Sequence, residues 1–333
     1  MSEIRTVQLT GKSTFIISLP KHWIKSNNIK VHDKLVILEN EDGSLIIYPY
    51  NKFKRKDESI ITVDFKTYNS YEEVLRECIA LYLAGYQSIK VVNITSNLHE
   101  LKEELRERLV GVEIIDETIN SFTIHVFTSS IEVNIGKILD RMFSIVHLMF
   151  ENFISFVKGE VDYYKRIIEL DTDVDRFYNF ISRQINQALG NSYLVYELGL
   201  NNKLECIEYK LVARALERIA DHIEEMVSNF IKLVNVSEEI KNEIVNLSGK
   251  IKENFKDMLI TFLKKDKEKA NKSIINIIAI LNDIRNLTEM LLKNYSDKQE
   301  LTSLKLILES LKRISEYTID IAEHTINIAN YNY

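Results

Sequence analysis

Both prolines of the chain, Pro20 and Pro49, fall before residue 50. A proline inside a helix removes a main-chain hydrogen bond and clashes with the preceding turn, so nothing of that kind interrupts long helices downstream. The apolar residues there step by three and four. Ile135, Ile138, Met142, Ile145, Met149, Phe153 and Phe156 mark one bundle-forming helix, and Ile167, Leu170, Val174, Phe177, Ile181 and Ile185 mark the next. Gly159 separates them, and Gly190, Gly199 and Asn201-Asn202 mark the break before a third. Three more helices are expected at about 237–264, 267–294 and 298–330. FISFVKGE from Phe153 corresponds to LITFLKKD from Leu259, and ERIADHIEEM from Glu217 to KRISEYTIDI from Lys312, a spacing of about 100 residues. Two three-helix bundles, 131–235 and 236–333, are the expected architecture.

The third helix carries the most informative stretch, LVARALERIADHIEEM from Leu211 to Met226. Its apolar stripe runs Leu204, Ile207, Leu211, Ala215, Ile219, Ile223, Met226, while Arg214, Glu217, Arg218 and Asp221 collect on an exposed face. Glu217 and Asp221 stand four apart, where like charges repel by a few tenths of a kcal/mol unless a cation intervenes. An ion-pair network with Arg214 and Arg218 would settle these charges at little net gain. The second pair, Asp171 and Asp175 on the preceding helix, makes a cation-binding cluster the other reading.

At 333 residues the chain exceeds one ordinary core, so two or three domains are expected. The 45% apolar and 28% charged content is that of a soluble globular protein. The net charge of −6 divides unevenly: residues 1–56 carry +5 and the remainder −11. A basic head on an acidic body suggests a polyanion partner for the first domain alone. Cys78 and Cys206 are the only cysteines. They supply neither a disulfide framework nor a cysteine-rich metal site, and they suit a reducing compartment. Ser2 to Gln8 is polar and alternating, unlike a signal peptide, and the most apolar run, Ile274 to Leu281, falls well short of the roughly 20 residues that span a bilayer. A cytoplasmic location without membrane insertion is expected.

Residues 1–52 read as two hairpins around a short helix. Ile4 to Leu9 alternates, Gly11-Lys12-Ser13 turns, and Thr14 to Leu19 is β-rich. Lys21 to Ser26 follows Pro20 as a helical turn or two, and a second hairpin joins Lys34–Glu39 to Ser44–Tyr48 through Glu41-Asp42-Gly43. So few short elements bury little surface alone, and the unit should dimerise. The stretch RTVQLTGKSTFIISLPKHWIKSNNIKVHDKLVILENEDGSLIIYP resembles the AbrB/MazE-type swapped-hairpin domain. That resemblance implies two chains interleaved into one small β-barrel with a basic surface laid on DNA. It places Arg5 at the family's basic first-strand position, Lys12 after the turn glycine and Lys25 in the helix; Lys21 is added as a neighbouring base. Lysines and arginines on such a surface neutralise phosphates and make binding salt-dependent. A toxin-binding role, as in the antitoxin branch, is not expected.

Residues 53–130 begin with a charged linker, Lys52 to Lys56, and continue β-α-β-α-β-β, a small α/β sheet with helices on one face and ferredoxin-like only in topology. No glycine-rich phosphate loop is present, and His99 and His125 are isolated, the mark of structural residues. The module is expected to couple the first domain to the third or to hold a small ligand.

The helical part resembles the PhoU family, tandem three-helix bundles with a Glu/Asp-x-x-x-Asp pair in each repeat. Asp171-Thr172-Asp173-Val174-Asp175-Arg176 and Glu217-Arg218-Ile219-Ala220-Asp221-His222 carry that likeness. It implies a metal site at Asp171, Asp175, Glu217 and Asp221. In the second repeat their counterparts are Ile277, Leu281, Lys312 and Glu316, which cannot ligate a hard cation together, so at most one site is expected. Carboxylate ligands favour Mg²⁺, Mn²⁺, Ca²⁺ or iron over structural zinc.

The two resemblances and the charge split together imply a multidomain α+β protein, mostly helical, acting as a DNA-binding regulator of phosphate uptake. A homodimer is expected, with a phosphate-transporter ATPase as a further partner. The alternative is an adaptor of the transporter whose head only dimerises. No catalytic residues are assigned. A metal-dependent phosphohydrolase is the weakest reading, because the carboxylates lie on an open face with no general acid beside them.

Overall fold

The computed structural model describes residues 3–11, 13–39, 43–50, 60–95, 97–127, 134–160 and 163–331. The chain forms two compact units that divide between residues 59 and 60. The expected linker at 52–56 lies outside the described residues, as does Lys12.

In the first unit, β1 (Gln8–Thr10) pairs antiparallel with β2 (Thr14–Ile16), in a register that sets Leu9 opposite Phe15. Gly11 between them adopts φ +65°, a left-handed conformation that glycine reaches without a Cβ penalty. Helix α1 (Lys21–Ser26) starts after Pro20, whose fixed φ of −60° suits the entry, and ends where Asn27 N–H donates to the Trp23 oxygen. Strands β3 (Leu35–Glu39) and β4 (Leu45–Pro49) form the second hairpin. Among the described residues the two hairpins share no ladder, so the expected barrel is not closed within the chain. Pro49 is the one buried residue among the described residues of this unit. Leu9, Ile37, Leu45 and Phe15 stand in solvent, Phe15 at 73%.

The second unit begins with the α/β module: β5 (Ile60–Asp64), α2 (Tyr71–Leu83), β6 (Ser88–Val92), α3 (Leu98–Arg108), β7 (Val112–Thr118) and β8 (Ser121–Val126). Ser70 caps α2 by accepting from Glu73 N–H. The sheet order is β5-β6-β8-β7, with β5 and β6 parallel and the other pairs antiparallel. Both helices share one core with the sheet, through Val74, Cys78 and Leu101 against Ile89, Val91 and Ile124. This βαβαββ order keeps the layering of a ferredoxin-like module but not its βαββαβ sequence of elements. His125 is structural, its Nδ1 2.9 Å from Ser88 Oγ.

The helical part follows: α4 (Ile135–Val157), α5 (Tyr163–Gly190), short α6 (Ser192–Glu197), α7 (Lys203–Phe230), α8 (Glu238–Lys256), short α9 (Met258–Leu263), α10 (Lys267–Asn294) and α11 (Lys298–Ile328). Two triplets emerge as expected, with two refinements. Asn191 caps an additional turn, α6, through Tyr193 N–H, and the fourth helix breaks at Asp257 (φ −92°, ψ 1°) so that Met258 and Phe262 turn into the core. The triplets meet where α7 and α11 lie antiparallel. Ser310 Oγ donates to Glu225 Oε2 at 3.1 Å, His222 stacks on Tyr317 at 5.9 Å, and His324 Nδ1 lies 2.7 Å from Glu208 Oε2.

The module joins the bundle through α5. Arg183 Nη2 donates to the Gly85 oxygen at 3.2 Å, Asn186 Nδ2 to the Leu83 oxygen at 2.9 Å, and Gln187 Nε2 to the Gly85 oxygen at 3.2 Å. These side chains satisfy the open carbonyls at the carboxyl-terminal end of α2. Among the described residues no helix is long and apolar enough to cross a membrane.

Candidate metal centre

Helix α7 packs on α4, α5 and α11 at once, which leaves its polar stripe little solvent. The four carboxylates were expected on an exposed face. Instead Glu217 is 8% exposed and Asp171 and Asp175 are half-buried, because their stripe on α5 faces the stripe on α7 across the helix seam, while Asp221 stays at the solvent edge as expected. One oxygen from each of Asp175, Glu217 and Asp221 lies within 4.8 Å of the others. Asp171, one turn earlier on α5, stands outside that triad, with Oδ1 buried and without a hydrogen-bond partner.

Burial dominates the electrostatics, and like charge adds to it. Burial pushes the Asp171 carboxyl up to about 8, helped by Asp175, Glu224, Asp221 and Glu217. Glu217 is pushed up to about 7 by burial and then by Asp221, against the pull of Arg214. Asp175 rises to about 6 through burial and Asp221, opposed by Arg108 and Arg214. Asp221 is raised by burial against Arg218, Arg214 and His222. These protons belong to the cluster as a whole, since each carboxylate feels the others.

The local arginines settle part of this charge. Arg214, lying 5.1 Å over the Tyr178 ring, bonds Glu217 Oε1. Glu217 Oε2 is buried with no hydrogen bond, and Arg218 Nε stands 3.8 Å away. Among the described residues Asp171, Asp175 and Asp221 make no ion pair. Three oxygens each held about 2.4 Å from one Ca²⁺ stand at most about 4.2 Å apart, so this donor set takes one hard cation once the side chains close in by a few tenths of an ångström. His222 is directed elsewhere, 3.1 Å from Glu225 Oε2.

Two participants escaped the sequence reading. Glu224 follows Asp221 by three on the same stripe, a spacing that was available to read. Arg108 comes from the far end of α3, and no local pattern marks it. In the second repeat, Leu281, Lys312 and Glu316 line one groove of about 420 Å³. Those residues are the counterparts of Asp175, Glu217 and Asp221, so the repeats correspond in space, with a mixed-charge groove in place of the carboxylates.

The remaining candidates lie in the first unit. Lys21 and Lys25 are exposed on α1, and Arg5 is paired with Glu3.

Residues 139–230, which span α4 to α7 and include all four carboxylates, match the PhoU domain family. The chain contains a PhoU domain. Residues 8–55 match the family described as antidote-toxin recognition MazE, bacterial antitoxin. Among solved structures, the phosphate transport system regulatory protein PhoU from Streptococcus pneumoniae is similar at 16% identity and TM-score 0.49, over 60% of this chain and 96% of that one. No curated protein matches the chain. The four carboxylates thus lie within the residues matched to the PhoU domain, while the groove at Lys312 lies beyond them.

Proposed function

We propose that the chain is a DNA-binding regulator of phosphate uptake, acting in the cytoplasm as a homodimer and without a catalytic step. The amino-terminal unit would hold DNA through Arg5, Lys12, Lys21 and Lys25. The PhoU domain would report phosphate status through a divalent or iron cation at Asp171, Asp175, Glu217 and Asp221, or through a phosphate-transport partner. The observation that carries this reading is the union in one chain of a PhoU domain and a MazE-type domain. The +5 charge of residues 1–56 supports it, as do the apolar side chains of the hairpins, each worth about 1.5–3 kcal/mol when a second copy covers it.

Four bases per chain, and so about eight per dimer, would give a slope of log affinity against log salt near −7. Retention of duplex DNA is measured at several salt concentrations for the wild type and for Arg5→Ala with Lys12→Ala. A shallower slope in the variant supports the reading, and retention indifferent to both salt and substitution overturns it.

A second reading, an adaptor of a phosphate transporter and its ATPase, is favoured by the pairing of Arg5 with Glu3, which occupies the one guanidinium among the candidate bases. Lysines, as point charges, read bases less well than an arginine fork. The head would then serve only to dimerise.

A further inference from the structure

Arg108 closes helix α3 of the α/β module, and its main-chain oxygen accepts a hydrogen bond from Asn179 Nδ2 at 3.2 Å. Asn179 lies four residues beyond Asp175 on α5, so the two side chains stand one above the other on a single stripe. The end of α3 is therefore fixed one helical turn from the carboxylates, within reach of an arginine side chain. Arg108 is also the foremost cation acting on Asp175, ahead of Arg214. Its other engagement is loose: the side chain is 48% exposed, and Nε stands 3.4 Å from Glu104 Oε2. Arg214 and Arg218 share helix α7 with Glu217. Arg108 comes from another module.

We infer that Arg108 is a positioning residue of the cation site: its guanidinium balances Asp175 when no cation is bound, and a bound divalent cation displaces it, passing occupancy to helix α3. This rests on the cation reading of the cluster given above. A guanidinium and a divalent cation near one carboxylate repel each other in a poorly screened setting, so each weakens the other's hold. Coupling of this kind is reciprocal: what the arginine costs the cation, the cation costs the arginine. Asn179 and the clamp of Arg183, Asn186 and Gln187 on α2 hold the module on α5, so the release of Arg108 loosens no more than the last turn of α3.

The test uses the full chain stripped with chelator and titrated calorimetrically with Mn²⁺, as wild type, Arg108→Ala and Arg108→Lys. Removing the competing charge should tighten Mn²⁺ binding roughly tenfold in Arg108→Ala and leave Arg108→Lys close to wild type. A merely structural arginine would give weaker binding on its loss. Amide exchange supplies the second reading: Mn²⁺ should speed exchange in the last turn of α3 in the wild type and leave it unaltered in Arg108→Ala. Unchanged or weakened affinity in Arg108→Ala, or exchange in α3 indifferent to Mn²⁺ in the wild type, overturns the inference while the cation site stands. Absence of Mn²⁺ binding in all three chains removes the site itself, and the inference with it.

Discussion

The guanidinium of Arg183, 2% exposed, lies 4.7 Å above the centre of the Tyr82 ring and donates to the Tyr82 carbonyl. The aromatic face and the carbonyls that end α2 hold the charge in place. Arg183→Met removes these bonds while filling the space, and should cost about 2–3 kcal/mol. Urea unfolding checks the size of the effect. Amide exchange checks its place, with residues 60–127 loosened more than α7 and α11.

Gly85 tests the same seam from the other side. Its φ of +97° is strained for any other residue, and a Cβ there would stand 2.9 Å from the Gln187 side chain. Gly85→Ala should therefore lower thermal stability by more than the roughly 1 kcal/mol of an ordinary helix-end glycine.

The carboxylate seam makes a pH prediction for the cation-free chain. Asp171, Glu217 and Asp175 hold protons in the folded state up to about 8, 7 and 6, whereas an unfolded carboxyl releases its proton near about 4. The stability this confers is present below about pH 4 and is lost as pH rises through the folded values. Glu205 and Glu300, held below the usual range by their hydrogen bonds, titrate under that window and leave it undisturbed. The urea midpoint of chelator-treated protein should fall between pH 5 and pH 8. Asp171→Asn should flatten that fall, raising the midpoint at pH 8 and leaving it unchanged at pH 4.

Much of this arrangement was legible in the chain. Stripes such as Met142, Ile145, Met149 and Phe153 fixed the helices, all four now buried in one core. The Glu217 and Asp221 spacing placed two carboxylates on one face, because i and i+4 residues superpose on any helix. The burial of Glu217 was not legible, since it depends on α4, α5 and α11 all closing on α7. Arg108 was hidden for the same reason: its charge acts on Asp175 across 67 residues of sequence, through packing that has no local signature. The break at Asp257 was also invisible, with neither glycine nor proline beside it.

Cation binding should be confined to the first repeat. Glu217→Gln and Asp221→Asn should each weaken Mn²⁺ binding at least about tenfold, since each removes a charged ligand. Lys312→Ala in the groove of the second repeat should leave affinity unchanged. Binding should strengthen from pH 6 to pH 8, as the carboxyls must shed protons to ligate. Calorimetry at both pH values reads all of these outcomes.

The exposed hairpin residues predict the assembly. Phe15→Asp places a charge on the apolar surface that a second copy would cover, and should shift the full chain from dimer to monomer in sedimentation. The PhoU domain should keep its helical content, because none of its buried residues lies in the first unit.

The central claim joins a DNA-holding head to a PhoU domain that reports phosphate status, and genome-wide occupancy of the chain under phosphate-rich and phosphate-poor growth tests it most directly. Enrichment at phosphate-transport genes that changes with phosphate, and is lost in Arg5→Ala with Lys12→Ala, is the predicted result. No enrichment under either condition would contradict it and leave the adaptor reading in its place.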